Sequence, residues 1–473
     1  MTDEATEFEV VIIGSGPAGQ KAAIQASKAG RRVLLIERDK GVGGACVHKG
    51  TIPSKTLRET AVYFEGFATH TLGVIDTKIP GDVRLTSLMS HMERVIKAHE
   101  CFLHDQLRRN NIEQWHGRAR FVSSQELEVT FVRGNKRIVK GHVIVIATGS
   151  HPRSPDDVPV DHEHILDSDS ILSTMYVPQS LTVLGSGVVA SEYASIFAAL
   201  GVGVTIIDKF PAPMGFLDPD LTSRFVEAFE SRPGCRFLGN RKFKRVHWDG
   251  IDSVVTELDD GTVIKSEKML CALGRGANLA ALNIEAAGLA ANDRGFLDVN
   301  QHCQTAVPHI YAAGDVIGPP ALASTSMEQG RRAARHALGV PVEQDLHTIP
   351  VGIFAIPEMS CVGMTEQQVT EREGGAMVGT ADFAELARGQ IAGATDGFLK
   401  LVSDAKGQKV MGVQILGAGA TELVHVGQMA MLAGYTVDVF VEVIFNFPTL
   451  AEAYRVAALD IVGKREALTV TRA

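Results

Sequence analysis

VVIIGSGPAGQKAAIQASKAGRRVLLIER, from Val10 to Arg38, is followed 171 residues later by LTVLGSGVVASEYASIFAALGVGVTIIDK, from Leu181 to Lys209, and the two align without a gap. Gly14, Gly16, Gly30, Val33 and Glu37 fall on Gly185, Gly187, Gly201, Val204 and Asp208, while Gly19 falls on Ala190. Each copy reads strand, glycine turn, helix, strand. The unbroken apolar runs Val10–Ile13 and Val33–Ile36 suit strands buried on both faces of a parallel sheet, and Gly30 and Gly201 stand where a helix would end. A lone G-x-G-x-x-G is weak, because tight turns use glycine for geometry alone. Here each triplet follows a strand, opens a helix, and is followed by an acid 23 positions after its first glycine, where a ribose hydroxyl needs an acceptor. Glycines let the backbone approach a pyrophosphate, and the helix N-terminus supplies N–H groups and a positive dipole. Two dinucleotide sites are expected.

The rest of the chain narrows the class. Its 473 residues allow about three domains, and 45% apolar with 21% charged residues is an ordinary globular composition. A formal charge of −9 with no basic block argues against nucleic acid or an anionic membrane as partner. The opening MTDEATEFEV has neither a basic start nor an apolar core, and no run of about 18 uncharged apolar residues occurs, so a cytoplasmic enzyme acting on small molecules is expected. Six scattered cysteines form no C-x-x-C pair and the sixteen histidines no H-x-x-H or H-E-x-x-H spacing, so no metal site is expected. His48, two residues after Cys46, reads as a solvated loop residue or as a neighbour of the cofactor.

Short apolar strands breaking at glycine follow: HVIVIATGS (His142–Ser150), MLCALGRGANL (Met269–Leu279) and HIYAAGDVIG (His309–Gly318). With these the whole chain resembles the pyridine nucleotide-disulfide oxidoreductase family. The resemblance implies an α/β protein with two Rossmann-like dinucleotide-binding domains, one for FAD and one for NAD(P), and a C-terminal α+β dimerisation domain. It places the FAD domain at residues 1–152 and 276–346, the NAD(P) domain at 153–275 and the dimerisation domain at 347–473, with a homodimer or higher assembly. By the same resemblance FAD is held at Gly14, Gly16, Gly19, Glu37, Cys46, Lys55, Thr148, Gly149, Gly314 and Asp315. The nicotinamide nucleotide is held at Gly185, Gly187, Val188, Ala190, Asp208, Lys209, Gly274 and Arg275.

GVGGACVHKGTIPSKTLRE (Gly41–Glu59) departs from the family in a telling way. The disulfide reductases read G-G-x-C-x-x-x-x-C-x-P-S-K there; this chain keeps Cys46 but has Thr51 at the second cysteine, and a hydroxyl can form no disulfide. Near the C-terminus, FNFPTLAEAYR (Phe445–Arg455) has Phe447 where the reductases carry the His of their acid/base pair, while Glu452 remains. Phe447 and Pro448 then read as packing, and Glu452 is open to a structural reading. The C-x-x-x-G-T-I-P-S-K run, D-S-D-S-I-L (Asp167–Leu172), E-Y-A-S (Glu192–Ser195) and F-N-F-P-T are similar to the members that pass hydride from NADPH to NAD through FAD. The resemblance implies a Lys55–Glu192 ion pair near the flavin, with the lysine stabilising negative charge on it, and Val188 where relatives carry a Tyr covering the flavin. Cys46 either adjusts the flavin or is a retained thiol.

Asp208 suits an NAD ribose and repels the 2′-phosphate of NADP, with Lys209 the adjacent cation, so use of NADP(H) rests on the resemblance alone. Other readings stay open: an NADH-dependent flavin reductase or diaphorase, a dihydrolipoamide dehydrogenase-like disulfide reductase using Cys46 and another thiol, or a non-catalytic flavin-binding redox sensor. The C-terminal part is expected to hold strands at Phe398–Val402 and Met411–Leu416 and helices at Thr421–Ala433 and Ala451–Val462.

Overall fold

The computed structural model describes residues 6–71, 85–342 and 348–472, and the boundary expected at 346/347 lies outside them. The chain is mixed α/β, as expected, and forms two compact units: residues 1–56, 86–153 and 273–345, and residues 57–85, 154–272 and 346–473.

In the first unit the strand Thr6–Ile13 lies between Val33–Glu37 and Lys136–Ile146, parallel to both. Glu113–Phe121 extends the sheet beside Val33–Glu37, and Ile310–Ala312 extends it beside Lys136–Ile146. Glu113–Phe121 and Lys136–Ile146 outrun the parallel sheet, and their far halves pair antiparallel with Glu126–Phe131 in a meander. Because successive strand residues face opposite ways, the apolar runs serve two cores. Val10, Ile12, Val33 and Leu35 pack against Ala22, Ala23 and Ala26 of the helix Pro17–Lys28 and against Ala333 and Ala334. Val11, Ile13, Leu34 and Ile36 pack under the meander with Trp115, Phe121, Leu127 and Val129. The helix starts with Pro17 at its first position and ends before Gly30, whose φ of +76° is cheap only for glycine.

The second unit repeats the motif. Ser180–Leu184, the helix Val188–Ala199 and Gly203–Ile207 belong to a five-stranded parallel sheet completed by Arg236–Leu238, Lys268–Cys271 and Ile165–Asp167. A three-stranded antiparallel sheet, Phe243–Trp248, Val254–Leu258 and Val263–Ser266, follows. The C-terminal part is a five-stranded antiparallel sheet carrying the expected strands as Phe398–Asp404 and Val410–Leu416, with helices Ala420–Leu432 and Glu452–Arg472. The last helix runs ten residues beyond the expected end. Gly463 does not stop it, because the turns beyond are tied down: Lys464 Nζ donates to the Val378 carbonyl (2.8 Å) and pairs with Asp460, and Arg465 pairs with Asp438. Among the described residues no helix is long and apolar enough to cross a membrane, and no group of three His, Cys, Asp or Glu side chains is placed to hold a metal.

Candidate functional site: two dinucleotide cradles and a thiol beside a threonine

Each glycine turn is built by the same three constraints. Gly14 and Gly185 have φ of +103° and +95°, and their N–H groups donate to the Ile36 and Ile207 carbonyls at 2.8 and 2.9 Å. Gly14 is further confined, since a Cβ on it would stand 2.3 Å from the Ala147 carbonyl oxygen. Gly16 and Gly187 face open space, begin helices with no side-chain cap and no acid in the first turn, and so leave helix N–H groups for an anion. Gly19 lets helix and strand approach: a Cβ there would meet the Gly14 carbonyl oxygen at 1.9 Å. Ala190 fills the matching place of the second turn, fully buried.

The acids are held alike. Glu37 Oε2 accepts from the Ser15 N–H (2.8 Å) and hydroxyl (2.6 Å), and Oε1 from the Asp39 N–H (2.9 Å). Asp208 Oδ2 accepts from the Ser186 N–H (2.6 Å) and hydroxyl (2.7 Å), and Oδ1 from the Phe210 N–H (3.0 Å). Ser15 and Ser186 were missed in the sequence reading, although both stand one residue after the first glycine and recur at the same offset. Ser15 also receives the Gly43 N–H, bringing the Gly41–Gly44 loop to the first turn, where a Cβ on Gly44 would lie 2.9 Å from Gly16 Cα.

Around the first turn, Asp315 follows Gly314 (φ +81°), and its Oδ2 accepts from the Ser150 hydroxyl at 2.6 Å. Arg275 donates to that hydroxyl (2.8 Å) and to the Ser150 carbonyl (3.0 Å), and Asn278 brackets Thr148 and Gly149 through their carbonyls. Gly274 and Arg275, expected at the nicotinamide nucleotide, therefore belong to the first unit, with Arg275 fastened beside Asp315. The reason is the antiparallel pairing of Arg275–Ala277 with Ser150–Pro152, which returns the chain to the first sheet. The Thr148 hydroxyl is buried with no hydrogen-bond partner. That orphaned donor, the open face of Gly16 and the uncapped helix fit a bound dinucleotide such as FAD.

Cys46 lies in the short helix Gly44–His48 as a half-buried free thiol. Burial pushes the thiol up, and a nearby Asp315 carboxylate adds to this; a hydrogen bond from Thr51 and the Lys55 charge pull the other way without winning. Thr51 begins the helix Thr51–Thr71, and Lys55 is one turn on, its ammonium 3.3 Å from the Ser54 hydroxyl. His48 Nε2 hydrogen-bonds the Val42 carbonyl (2.9 Å), so it fastens the loop rather than standing free in solvent.

In the second unit Glu192 is buried, and its Oε1 accepts from the Phe354 N–H at 2.9 Å. Val188 is partly buried against a cluster that includes Met214 and Leu217. Lys209 is exposed, its ammonium 5.1 Å from the Phe210 ring centre. Asp167 of the D-S-D-S-I-L run caps its own turn, accepting from the Asp169 and Ser170 N–H groups. Glu452 accepts from the Thr449 N–H (3.2 Å) at the start of its helix. Phe447, expected to pack, is 69% exposed within the chain, because the segment carrying it does not fold over its own core.

The chain matches the pyridine nucleotide-disulphide oxidoreductase pattern over residues 8–330 and that family's dimerisation domain over 349–458. It is 42% identical over 469 residues to the soluble pyridine nucleotide transhydrogenase of Mycobacterium tuberculosis, covering 98% of this chain and 99% of that one. The protein of the same name from Colwellia psychrerythraea is 38% identical, covering 97% and 98%. Among solved structures, LpdA from Mycobacterium tuberculosis superposes with a TM-score of 0.88 at 27% identity, covering 96% of this chain and 99% of that one. The HOCl-induced flavoprotein disulfide reductase RclA from Escherichia coli gives 0.86 at 27%, covering 95% and 99%. With its pattern matched over residues 8–330 and its dimerisation domain over 349–458, the chain belongs to the pyridine nucleotide-disulphide oxidoreductase family.

Proposed function

We propose that this protein is an FAD-dependent soluble pyridine nucleotide transhydrogenase that moves hydride reversibly between NADPH and NAD without a redox-active disulfide. The observation that carries the proposal is the Cys46–Thr51 contact: a hydroxyl stands on the sulfur where a reductase needs a second thiol, in a chain that keeps both dinucleotide cradles. The names of the full-length relatives point the same way.

When bound, the flavin supplies a group that takes hydride from one nicotinamide nucleotide and gives it to another. The protein's task is then to bind, orient and set charge. Glu37 and the turn Gly14–Gly19 hold one dinucleotide, with Thr148, Gly149, Gly314 and Asp315 around it. Gly185, Gly187, Val188, Ala190, Asp208 and Lys209 hold the nicotinamide nucleotide. Lys55 and Glu192 are the charged residues assigned to the reaction. With the Thr51 hydroxyl rather than a second thiol against it, Cys46 has no partner there with which to form the disulfide that would take up the electrons. We place the protein in the cytoplasm as a homodimer or higher assembly, and assign the exposed Phe447 to a surface that a second copy covers.

The test is anaerobic reduction of the yellow holoenzyme by NADPH, with NAD added afterwards. Bleaching followed by recovery of the absorbance supports the proposal. One observation favours a second reading, an NADH-dependent flavin reductase: the Asp208 carboxylate faces the ribose side of the second cradle as an acceptor. Bleaching by NADH alone would select that reading.

A further inference from the structure

The two caged acids are alike, but what lies beyond the cages is not. After Glu37 comes Arg38, with Asp39 3.8 Å away, and the adjacent strand contributes His116, whose ring meets the Arg38 carbonyl. After Asp208 come Lys209 and Phe210, and the adjacent strand Arg236–Leu238 runs on into Gly239-Asn240-Arg241-Lys242. That extension is zipped to the acid's own segment. The Arg241 N–H donates to the Asp208 carbonyl at 2.9 Å, and the Asn240 N–H to the Phe210 carbonyl at 3.1 Å. Gly239 makes the approach feasible, since a Cβ there would stand 2.7 Å from the Pro211 carbonyl oxygen. The backbone of Arg241 is therefore fixed beside Asp208 while its side chain is exposed. Its Nε lies 3.4 Å from Asp260 Oδ2, in a pair whose side chains are 46% and 34% exposed. Water screens such a contact, and a phosphate dianion offering two oxygens to the guanidinium fork competes well against it.

A 2′-hydroxyl needs the acceptor that Asp208 provides, whereas a 2′-phosphate needs donors and positive charge to offset that carboxylate. We propose that Arg241, with Lys209, receives the 2′-phosphate of NADP(H), so that one cradle serves both nucleotides: Asp208 for NAD(H), the Arg241–Lys209 rim for NADP(H). The inference rests on the transhydrogenation reading and names the residue that reconciles it with Asp208.

The experiment compares wild-type holoenzyme with Arg241→Ala and Arg241→Lys, reading flavin bleaching by NADPH and by NADH, and competition by adenosine 2′,5′-bisphosphate and by 5′-AMP. Losing a charge-assisted, forked contact is expected to lower the ratio of kcat/KM for NADPH over NADH about ten- to hundredfold in Arg241→Ala. Arg241→Lys should recover part of the ratio, and inhibition by the bisphosphate should weaken while inhibition by 5′-AMP holds. An equal loss for both nucleotides, or an unchanged ratio, overturns the inference and leaves the proposed function standing. Wild-type enzyme that NADH bleaches and NADPH does not overturns both.

Discussion

Removing the Ser186 hydroxyl tests whether the caged acid is what holds the nicotinamide nucleotide's ribose. In Ser186→Ala, Asp208 Oδ2 loses the 2.7 Å bond from Oγ and keeps the 2.6 Å bond from the backbone N–H, while Oδ1 keeps the Phe210 N–H. A hydrogen bond to a charged group contributes about 1.5–3 kcal/mol, but Asp208 is only half-buried, and water takes back part of the loss in the free protein. What remains is freedom for the carboxylate to turn out of the position from which it accepts from a ribose hydroxyl. About 1 kcal/mol of that freedom must be removed again on binding, which corresponds to a roughly fivefold weaker NADH complex. The assay is an anaerobic NADH titration followed by flavin absorbance, with FAD content measured on the same sample. Ser15→Ala serves as the mirror image, since it removes the 2.6 Å bond to Glu37, and it should release FAD more readily while leaving NADH affinity alone. NADH affinity unchanged within about twofold in Ser186→Ala, or loss of FAD from it, would refute the argument that each serine serves the dinucleotide of its own cradle.

Gly16→Ala and Gly19→Ala should fail differently. The first adds a Cβ to open space at an ordinary φ of −64°, so the apoprotein should melt as the wild type does but bind FAD poorly; the second drives a Cβ to 1.9 Å from a carbonyl oxygen and should cost about 1–3 kcal/mol, seen as a lower apoprotein Tm. Burial raises the Cys46 thiol, so the neutral form persists to higher pH than in an ordinary cysteine: alkylation by iodoacetamide should be slow at pH 8 and climb only above the usual thiol range, and Thr51→Val, which removes the hydrogen bond that favours thiolate, should push that climb higher still. Reactivity equal to a free thiol at pH 8 would contradict this. Lys400, 2% exposed, holds Asp218, Asp220 and Glu366 at 3.0, 2.7 and 2.6 Å, and Asp218 is fully buried. Lys400→Met leaves that buried carboxylate with the Asp220 and Glu366 N–H groups but no cation, and should destabilise the protein by about 3–5 kcal/mol, lowering Tm by roughly 6 °C or more; a shift under about 2 °C would count against the network.

The parts of the fold that the sequence disclosed are those fixed by residues close together in the chain. An unbroken VVII can bury both faces only in a covered parallel strand, and the two cores on either side of Val10–Ile13 are the outcome. Gly14 and Gly185 take positive φ, and the helices begin at Pro17 and Val188, because turn and helix start are local events. What stayed hidden depends on distant partners. Nothing near Arg275 announces Ser150 and Asp315, which it meets only because Arg275–Ala277 pairs with Ser150–Pro152. The extra turns of the last helix exist through Asp438 and Val378, and the exposure of Phe447 reflects a chain that does not cover it. Ser15 and Ser186 are an exception: the repeat itself carries them, one residue past each first glycine.

The cages also explain why an acid at the end of the second strand does not by itself settle which nucleotide binds. A carboxylate offers about four lone-pair positions, and Ser186 N–H, Ser186 Oγ and Phe210 N–H occupy three of those on Asp208, as Ser15 and Asp39 occupy three on Glu37. One acceptor position remains, enough for one ribose hydroxyl, and the donors already gathered on the carboxylate offset part of its charge. A cage of this kind fixes the acid's position while softening its repulsion of a neighbouring anion. Discrimination then falls to the side chains just outside the cage, where Arg38 meets Asp39 in one unit and where, in the other, Lys209 follows the acid and Arg241 is tied by its backbone N–H to the Asp208 carbonyl. The glycine fingerprint and its acid specify that a dinucleotide binds; in the second cradle the proposed place where its identity is decided is the rim of Lys209 and Arg241.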